Sequence, residues 1–561
     1  MSGLSQSKAQ QNALRQPIPS LYIQDTYHAT NRLVLNAGVR WDPEYVAKDF
    51  FNRGSVFNYG DFLAGSPIST VYTGAPAGSL FYGDNGVSKA FTKDSPWQFS
   101  PRIGATFDPK GDGKTVFRVG AALVYDSPNL FTSQRNQQNP PFSQTVQNSP
   151  ATGTGGAPLC FDNPWGTSTT PANCGNPAAT NPFLTFQQVP PHSFVFPKNA
   201  QYIVLPDKFH APYTIQYTAS VQHQFSHGWQ AEIDYNGNRT DFGPYGLPMN
   251  PTVYNTTLCP TATSCASGDA SRFKLTMANP TWGPYYAGGG TLTGNGSIYI
   301  MAGANASYNG MVASIQHRMS SNFVFMANYT YSHCISISDN AADVSTITIQ
   351  NPANIKGDKG SCGFDFRHVF NISTVASTHF ARTGLLGQAI NHWEISPLLH
   401  ATDGAPFTVW TGTDNSLIDL LNDRPNLTGA NVYTHNKITR ANPQYINAYA
   451  FATAPIGQFG NSGHNAFRGP KYLQIDAAVN RSFTLYKAFA ANLRLEAFNV
   501  LNHPSFAIPN SSSPGYLGSN AVGSVSSIQD PVTSGSKFGQ ILSTANGSSP
   551  RIFQGAFKIT F

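Results

Sequence analysis

Arg551-Ile552-Phe553-Gln554-Gly555-Ala556-Phe557-Lys558-Ile559-Thr560-Phe561 are the last residues of the chain. Side chains on a strand alternate between faces, so Phe553, Phe557, Ile559 and Phe561 share one side with Gly555, while Gln554, Ala556, Lys558 and Thr560 share the other. One side is greasy and the other is wet. A strand that finishes on an aromatic residue with no polar tail suits a sheet whose greasy side meets lipid and whose final strand pairs with a neighbour.

The same two-faced pattern recurs upstream. Tyr213, Ile215, Tyr217, Ala219, Val221 and Phe225 alternate with Thr214, Gln216, Thr218, Ser220, Gln222 and Gln224, and only His223 spoils the first set. Leu33, Leu35, Ala37, Val39 and Trp41 face away from Asn36, Gly38 and Arg40. Comparable ladders run over residues 97–107, 117–125, 229–237, 311–319, 323–331, 368–380, 473–483 and 493–497. With 20–26, 393–410 and the terminal stretch, the period-two criterion predicts about thirteen strands. Helical periodicity is essentially absent.

The predicted links alternate as well. Short ones fall at 29–32, 109–114, 227–228, 320–322, 381–389 and 486–488. Between them, long links at 45–96, 127–210, 241–307, 335–365, 412–469 and 502–549 run to roughly 30–85 residues, far beyond the usual loop of a compact soluble domain. Short turns on one rim and long loops on the other are the pattern of an outer-membrane β-barrel, with the long loops outside the cell and the chain end at the periplasmic rim. The expected fold is therefore all-β, an antiparallel transmembrane barrel wall.

Composition agrees. Of 561 residues only 11% are charged and 12% are aromatic, while 50 Gly and 40 Pro are scattered through the chain and not gathered into linkers. Phe and Tyr suit pleated, half-buried surfaces, and Gly, Asn and Pro suit turns. No apolar run reaches the length of about 18 residues that a helical span needs, and the mean hydropathy is −0.26. A barrel strand escapes that test because only every second residue meets lipid. The net charge of +6, with no Lys/Arg run, gives no support to a nucleic-acid partner.

Charges inside the predicted strands fall largely on the polar side: Arg40, Arg102, Arg118, Glu232, Asp234, Arg318, Arg367, Asp476, Arg494, Glu496 and Lys558. A charge facing lipid at mid-depth costs about 2–4 kcal/mol, so this phasing is what a bilayer imposes. Arg102, Arg118, Arg318, Arg367, Asp476, Arg494 and Glu496 are accordingly the expected lumen charges. Arg481 breaks the phase near the short-turn rim, where snorkelling relieves it. Tyr22, Tyr27, Trp41, Trp97, Phe107, Tyr125, Trp229, Tyr329, Tyr331, Phe483 and Phe553 collect at strand ends, as interfacial girdles require.

Residues 1–20 are polar and lack the basic start, apolar core and cleavage site of a secretory signal. Either the protein stays inside the cell or its true beginning lies upstream; the cysteines favour the second. All six fall in predicted loops as sequence neighbours: Cys160 with Cys174, Cys259 with Cys265, Cys334 with Cys362. An even number confined to loops points to local disulfides in an oxidising compartment, with the connectivity open. Zinc is the rival, but no pair has Cys-x-x-Cys spacing or a suitable His pair nearby.

Several phrases, in order along the chain, resemble the barrel region of TonB-dependent outer-membrane receptors, specifically the Oar-like group. They are Tyr22-Ile23-Gln24-Asp25-Thr26-Tyr27, Leu33 to Asp42, Ser100-Pro101-Arg102-Ile103-Gly104, Asp365-Phe366-Arg367-His368-Val369-Phe370, Asp423-Arg424-Pro425-Asn426, Phe467-Arg468-Gly469-Pro470 and Arg494 to Phe506. The resemblance implies a barrel of about 22 strands around a plug. It further implies that Phe553, Phe557, Ile559 and Phe561 form a signal read by the barrel-assembly machinery. A signal peptide, an energy-coupling box and a plug would precede such a barrel and are not visible here. The chain is thus expected to be the C-terminal part of a receptor, with 1–19 a polar lead-in belonging to an extracellular loop and 20–561 the partial barrel. The implied partners are outer-membrane lipid, the assembly machinery, an inner-membrane TonB complex reached through the missing N-terminal part, and an extracellular ligand such as a carbohydrate or siderophore.

No catalytic, cofactor or metal constellation emerges. The histidines, among them His210, His223, His317, His333, His368 and His400, show no metal-ligand spacing, and the Gly-rich stretches lack a strand-then-helix context for phosphate. Trp165, Trp282, Tyr285 and Tyr286 are candidates for ligand stacking or for packing loops together, packing being the favoured reading. A passive porin and a secreted β-rich adhesin are the two rival readings. The porin predicts shorter loops; the adhesin needs neither aromatic rims nor a terminal Phe.

Overall fold

The described residues of the computed structural model are 4–7, 13–90, 92–127, 130, 134, 137, 139–142, 145–148, 190–196, 198, 201–206, 209–254, 257, 270–286, 297–320, 322–338, 349–381, 384–411, 414–420, 422–486, 489–509 and 537–560. Thirteen strands make one continuous antiparallel wall in which each pairs with its neighbours in the chain. In order they are β1 (Leu21–Thr30), β2 (Leu33–Trp41), β3 (Phe99–Phe107), β4 (Thr115–Tyr125), β5 (Tyr213–Gln224), β6 (Trp229–Pro248) and β7 (Ile298–Ser320). Then follow β8 (Phe323–Ser336), β9 (His368–Ser377), β10 (Trp393–Thr402), β11 (Tyr472–Tyr486), β12 (Phe489–Phe498) and β13 (Ile552–Thr560). Many have 9–11 residues, the length that carries a tilted strand across a bilayer.

Links alternate strictly between the two rims. The short-link rim joins β1–β2, β3–β4, β5–β6, β7–β8, β9–β10 and β11–β12, and the long links are 42–98, 126–212, 249–297, 337–367, 403–471 and 499–551. The turn between β3 and β4 shows why these residues make tight reversals. Asp108 accepts backbone N–H groups from Gly111 and Gly113 at 2.8 and 2.7 Å, and both glycines adopt positive φ.

Register fixes which side chains share a face. One row across the wall is Tyr27, Leu35, Ala105, Val119, Ala219 and Tyr235, continuing to Met311, Tyr331 and His368. The adjacent row, Thr26, Asn36, Gly104, Gly120, Thr218 and Asn236, points the other way. A one-residue slip at any pairing would invert that strand, so the contrast between faces pins the register.

No second layer covers the apolar face among the described residues. Ile23, Ile103, Val119, Phe553 and Phe557 are 72%, 66%, 55%, 73% and 65% exposed. A contiguous apolar surface of this extent is intolerable in water and ordinary in hydrocarbon. The buried core instead sits in the long links. Phe57, Phe62, Tyr202, Leu275 and Tyr286 form one cluster, Tyr72, Phe81, Phe142 and Phe196 a second, and Phe407, Ile446, Phe451, Phe467 and Phe538 a third. These links therefore form a packed layer above the wall. Two segments of the lead-in join it: Leu4–Ser7 pairs with Thr145–Asn148 and Leu14–Arg15 with Lys48–Asp49.

Boundaries depart from expectation mainly at β6 and β7. The expected loop 241–307 is partly strand, because the hairpin continues past an irregularity at Thr240–Pro244 into the loop layer. There Ile298 and Ile300 are fully buried, as Tyr245 nearly is, so both sides of the ribbon are covered and alternation no longer marks the strand. β10 ends at Thr402, short of the expected 410, and the link 378–392 holds a helix at Gly384–Ile390.

Candidate functional site at the rim and along the polar face

The polar face carries charge that pairs within the wall. Arg102 donates to the Gln24 side-chain amide oxygen, Arg118 bonds Gln222 at 3.1 Å and lies 3.7 Å from Glu232, and Arg494 pairs with Glu496 at 2.6 Å. Asp476 accepts from Gln474 at 3.0 Å and from the Asn499 N–H at 2.8 Å. Beside it, Asn371 donates to Asn328 at 2.9 Å and His400 Nδ1 lies 2.6 Å from Asn371 Oδ1. These residues line a cavity of about 350 Å³ together with Met326 and Leu398. Hydrogen bonding from Asn328 through Asn371 to His400 ties three neighbouring strands together, while Gln474 is held within its own strand by Asp476 and Tyr472.

Arg367 stands one position before β9, and its guanidinium turns toward Asp365, with Nε 3.9 Å from the carboxylate, and toward His333. It belongs to the long-link rim and not to the ladder of strand charges. The side chain of Arg318, together with Phe561, Trp165, Cys160, Cys174, Cys259 and Cys265, lies outside the described residues. Cys334 and Cys362 are disulfide-bonded. Phe553, Phe557 and Ile559 lie together on the exposed apolar face of β13. Arg481, also on that face, is stacked over Trp393 and Phe483 at 4.7 and 4.5 Å, so aromatic faces meet its charge where the register leaves it. Tyr286 is fully buried in the loop core, with Trp282 and Tyr285 packed against it, which places these aromatics in the packing of the loops.

A larger cavity, about 980 Å³, opens at the long-link rim above β8 to β11. Asp365 is its hub. Its buried carboxylate accepts the Cys334 N–H at 2.8 Å, His333 Nδ1 at 3.1 Å and the Arg468 guanidinium. Burial pushes this carboxyl up, but the bonds from Arg468, the Cys334 N–H and His333 outweigh it and hold the group below the usual carboxylate range. Arg468 also organises the aromatic wall: its N–H donates to Tyr433 Oη at 2.8 Å, and Tyr445 Oη donates to its carbonyl at 3.2 Å. The Cys334–Cys362 bridge and the pairing of Gly360–Ser361 with Ile335 and Ser336 brace the opposite side. Gly404 and Gly360 are required by close approach, since a Cβ would collide with the carbonyls of Gly469 and His464 respectively.

Two of the phrases singled out in the sequence thus meet here, Asp365 to His368 and Phe467 to Pro470, while Arg424 of a third pairs with buried Asp358 nearby. Sequence reading missed Lys359, Asp403, Tyr433, Tyr445 and Lys471 as partners in one site. The available signal was local charge in loops that are otherwise nearly neutral. Among the described residues, no group of three or more His, Cys, Asp or Glu is disposed to hold a metal ion.

A family model described as an outer membrane beta barrel domain matches residues 1–554. No curated protein matches the chain. Among solved structures it is similar to the outer membrane transporter YddB from Escherichia coli, at 9% identity and a TM-score of 0.42, over 87% of this chain and 41% of that one. A mutant of the ferric enterobactin receptor PfeA from Pseudomonas aeruginosa is similar at 11% identity and a TM-score of 0.39, over 97% and 45%. The ferripyoverdine receptor of the outer membrane of Pseudomonas aeruginosa is similar at 9% identity and a TM-score of 0.35, over 86% and 34%. The chain spans less than half the length of each of these proteins.

Proposed function

The chain belongs to the outer membrane beta barrel domain family, and from that premise we propose that its wall is part of a TonB-dependent, Oar-like receptor that passes a ligand across the outer membrane. Its place is the outer membrane. The observation that carries the reading is the wall itself: thirteen strands with one bare apolar face, one hydrogen-bonded polar face, and long links on one rim only. The polar face, with Arg102, Arg118, Asp476, Arg494 and Glu496, lines the passage, and the same role is assigned to Arg318. The long links form the extracellular layer, and the lead-in 1–19 belongs to it. Energy comes from an inner-membrane complex acting through a plug encoded upstream. The apolar face of β13, with Phe553, Phe557 and Ile559, is together with the terminal residue Phe561 the element the assembly machinery engages.

Long packed loops favour a gated receptor over an open porin, because the clusters around Phe62 and Phe407 fill the space above the wall. Carbonate extraction tests membrane integration: the chain is expected to stay in the membrane pellet, and release into the wash would make it a surface adhesin. The DNA immediately upstream of the Met1 codon tests the receptor reading. A plug-encoding segment is expected there, and an unbroken run of strand-encoding sequence without one would make the protein a passive channel.

A further inference from the structure

The strands that frame the rim cavity continue the apolar face into it. Across β8 to β11, the row Ala327, Ile372, Leu399 and Ile475 is followed rimward by Tyr329, Phe370, Ala401 and Leu473. The next row begins Tyr331 and His368 and is completed by Asp403 and Lys471, with His368 and Lys471 lying 3.8 and 3.7 Å from the Asp403 carboxylate. His368 packs on the rings of Tyr329 and Tyr331 at 6.0 and 5.2 Å, which fixes it on the lipid side. The strand-end residues that line the cavity, His333, Ile335, Asp403 and Lys471, are in phase with Tyr331, His368 and Leu473, so this part of its lining continues the outer, greasy side of the wall.

Its charge is lopsided. Lys359, Arg367, Arg468 and Lys471 line it against the carboxylates of Asp403 and, beneath, Asp365. Arg468 is committed to Asp365, and Asp403 is shared between His368 and Lys471. Lys359, Arg367 and Lys471 are exposed, and Lys359 has no carboxylate partner among the described residues. Four cations against two carboxylates leave a positive surplus that points at whatever lies beside the wall.

We propose that this cavity is a site for the phosphate-bearing headgroup of an outer-leaflet lipid, whose acyl chains lie along the strip of Ile372, Leu399, Ile475, Phe370 and Leu473. The arrangement follows a lipid from end to end: branched aliphatic residues at chain depth, Tyr and His rings at the interface, and Lys and Arg at headgroup depth. The disulfide and the Asp365 hub hold the cavity walls in place, so little ordering cost falls on the protein when the headgroup enters. The inference rests on the long links lying outside the cell and on the outer-membrane location. It does not depend on transport.

The test is native mass spectrometry of the full chain extracted from outer membranes in mild detergent, followed by titration with lipid A, with the same lipid after enzymatic removal of its phosphates, and with pyrophosphate. Wild type is expected to retain phosphorylated lipid, to lose at least tenfold in affinity when the phosphates are removed, and to need at least a hundredfold more pyrophosphate for equal occupancy. The triple variant K359Q/R367Q/K471Q alters exposed side chains only and is expected to lose at least tenfold in lipid A affinity with an unchanged far-ultraviolet circular dichroism spectrum. Lys558→Gln, on the polar face, is expected to bind as wild type does. Equal retention by the triple variant, equal loss in Lys558→Gln, or pyrophosphate as tight as lipid would each overturn the headgroup site. Release of the protein from the membrane pellet would instead remove the barrel reading, a result distinct from all three.

Discussion

Glu44 sits where the first long link leaves β2, and it is 3% exposed. Its N–H and carbonyl bridge to Ser95 at 3.0 and 2.9 Å, while its carboxyl accepts from Gln98 at 2.9 Å. Burial, opposed by the Gln98 bond and reinforced by Asp94 and Asp126, pushes it from 4.5 up to about 7. Between those values the folded chain keeps a proton that the unfolded chain has lost. The stability associated with the neutral carboxyl is therefore complete below about pH 4.5 and declines as the pH rises toward 7. Glu44→Gln retains the neutral shape at every pH. It should raise the unfolding free energy read from urea titration at pH 8 by an amount on the order of 2 kcal/mol and leave it unchanged at pH 4. A gain of the same size at both values would show that the residue does not titrate in this way. Where β8 gives way to the 337–367 link, Cys334 and Cys362 close a separation of 28 residues. Replacing both with Ser should cost about 3 kcal/mol, read as a lower thermal midpoint that reducing agent reproduces in the wild type.

At the scale of the strand, the two faces make opposite demands at equal depth. Ile103 is the middle residue of β3 on the apolar face, and Thr218 lies mid-strand in β5 on the polar face. Ile103→Arg should lower folding stability in lipid by about 2–4 kcal/mol, whereas Thr218→Arg should cost about 1 kcal/mol or less. Urea titrations of both variants in the same vesicles compare them directly, and equal losses would mean that the faces are not solvated differently. This contrast is also what made the wall legible in the sequence. Lipid on one side and water on the other force a period of two on every spanning strand, so the strand number, the terminal strand and the alternation of links followed from the residues. The pattern fades where its cause does. In the loop layer, Ile298, Ile300 and Tyr245 meet protein on both sides, and the extension of β6 and β7 carried no alternation to read. The rim cavity was hidden for another reason: Asp365 and Arg468 are 103 residues apart, and nothing local to either announces the other. Asp25, on the apolar face of the edge strand between Ile23 and Tyr27, is a second charge out of phase with the wall. A charge on the greasy side of an edge strand discourages wrong strand pairing at an open edge.

The wall as a whole has a parity. In a meander, successive strands reverse direction, so the first and the thirteenth run the same way, both from the long-link rim to the short-link rim. Among the described residues neither β1 nor β13 pairs on its outer side, and every residue of β13 is exposed. Joined to each other, the two edges would form a parallel seam in an otherwise antiparallel wall. Two copies in the same membrane orientation, edge to edge, would meet with the same mismatch. An antiparallel ring therefore calls for an odd number of further strands, and until they are supplied each edge leaves a row of backbone groups that cost several kcal/mol apiece in hydrocarbon. The 561-residue chain refolded alone is accordingly expected to show no heat-modifiable band in detergent gels, and thiols introduced by Gln24→Cys and Gln554→Cys, on the polar faces of β1 and β13, should not cross-link within a monomer. A compact, heat-modifiable monomer with that cross-link would mean that the wall closes on itself in parallel register, and the demand for additional strands would fall with it.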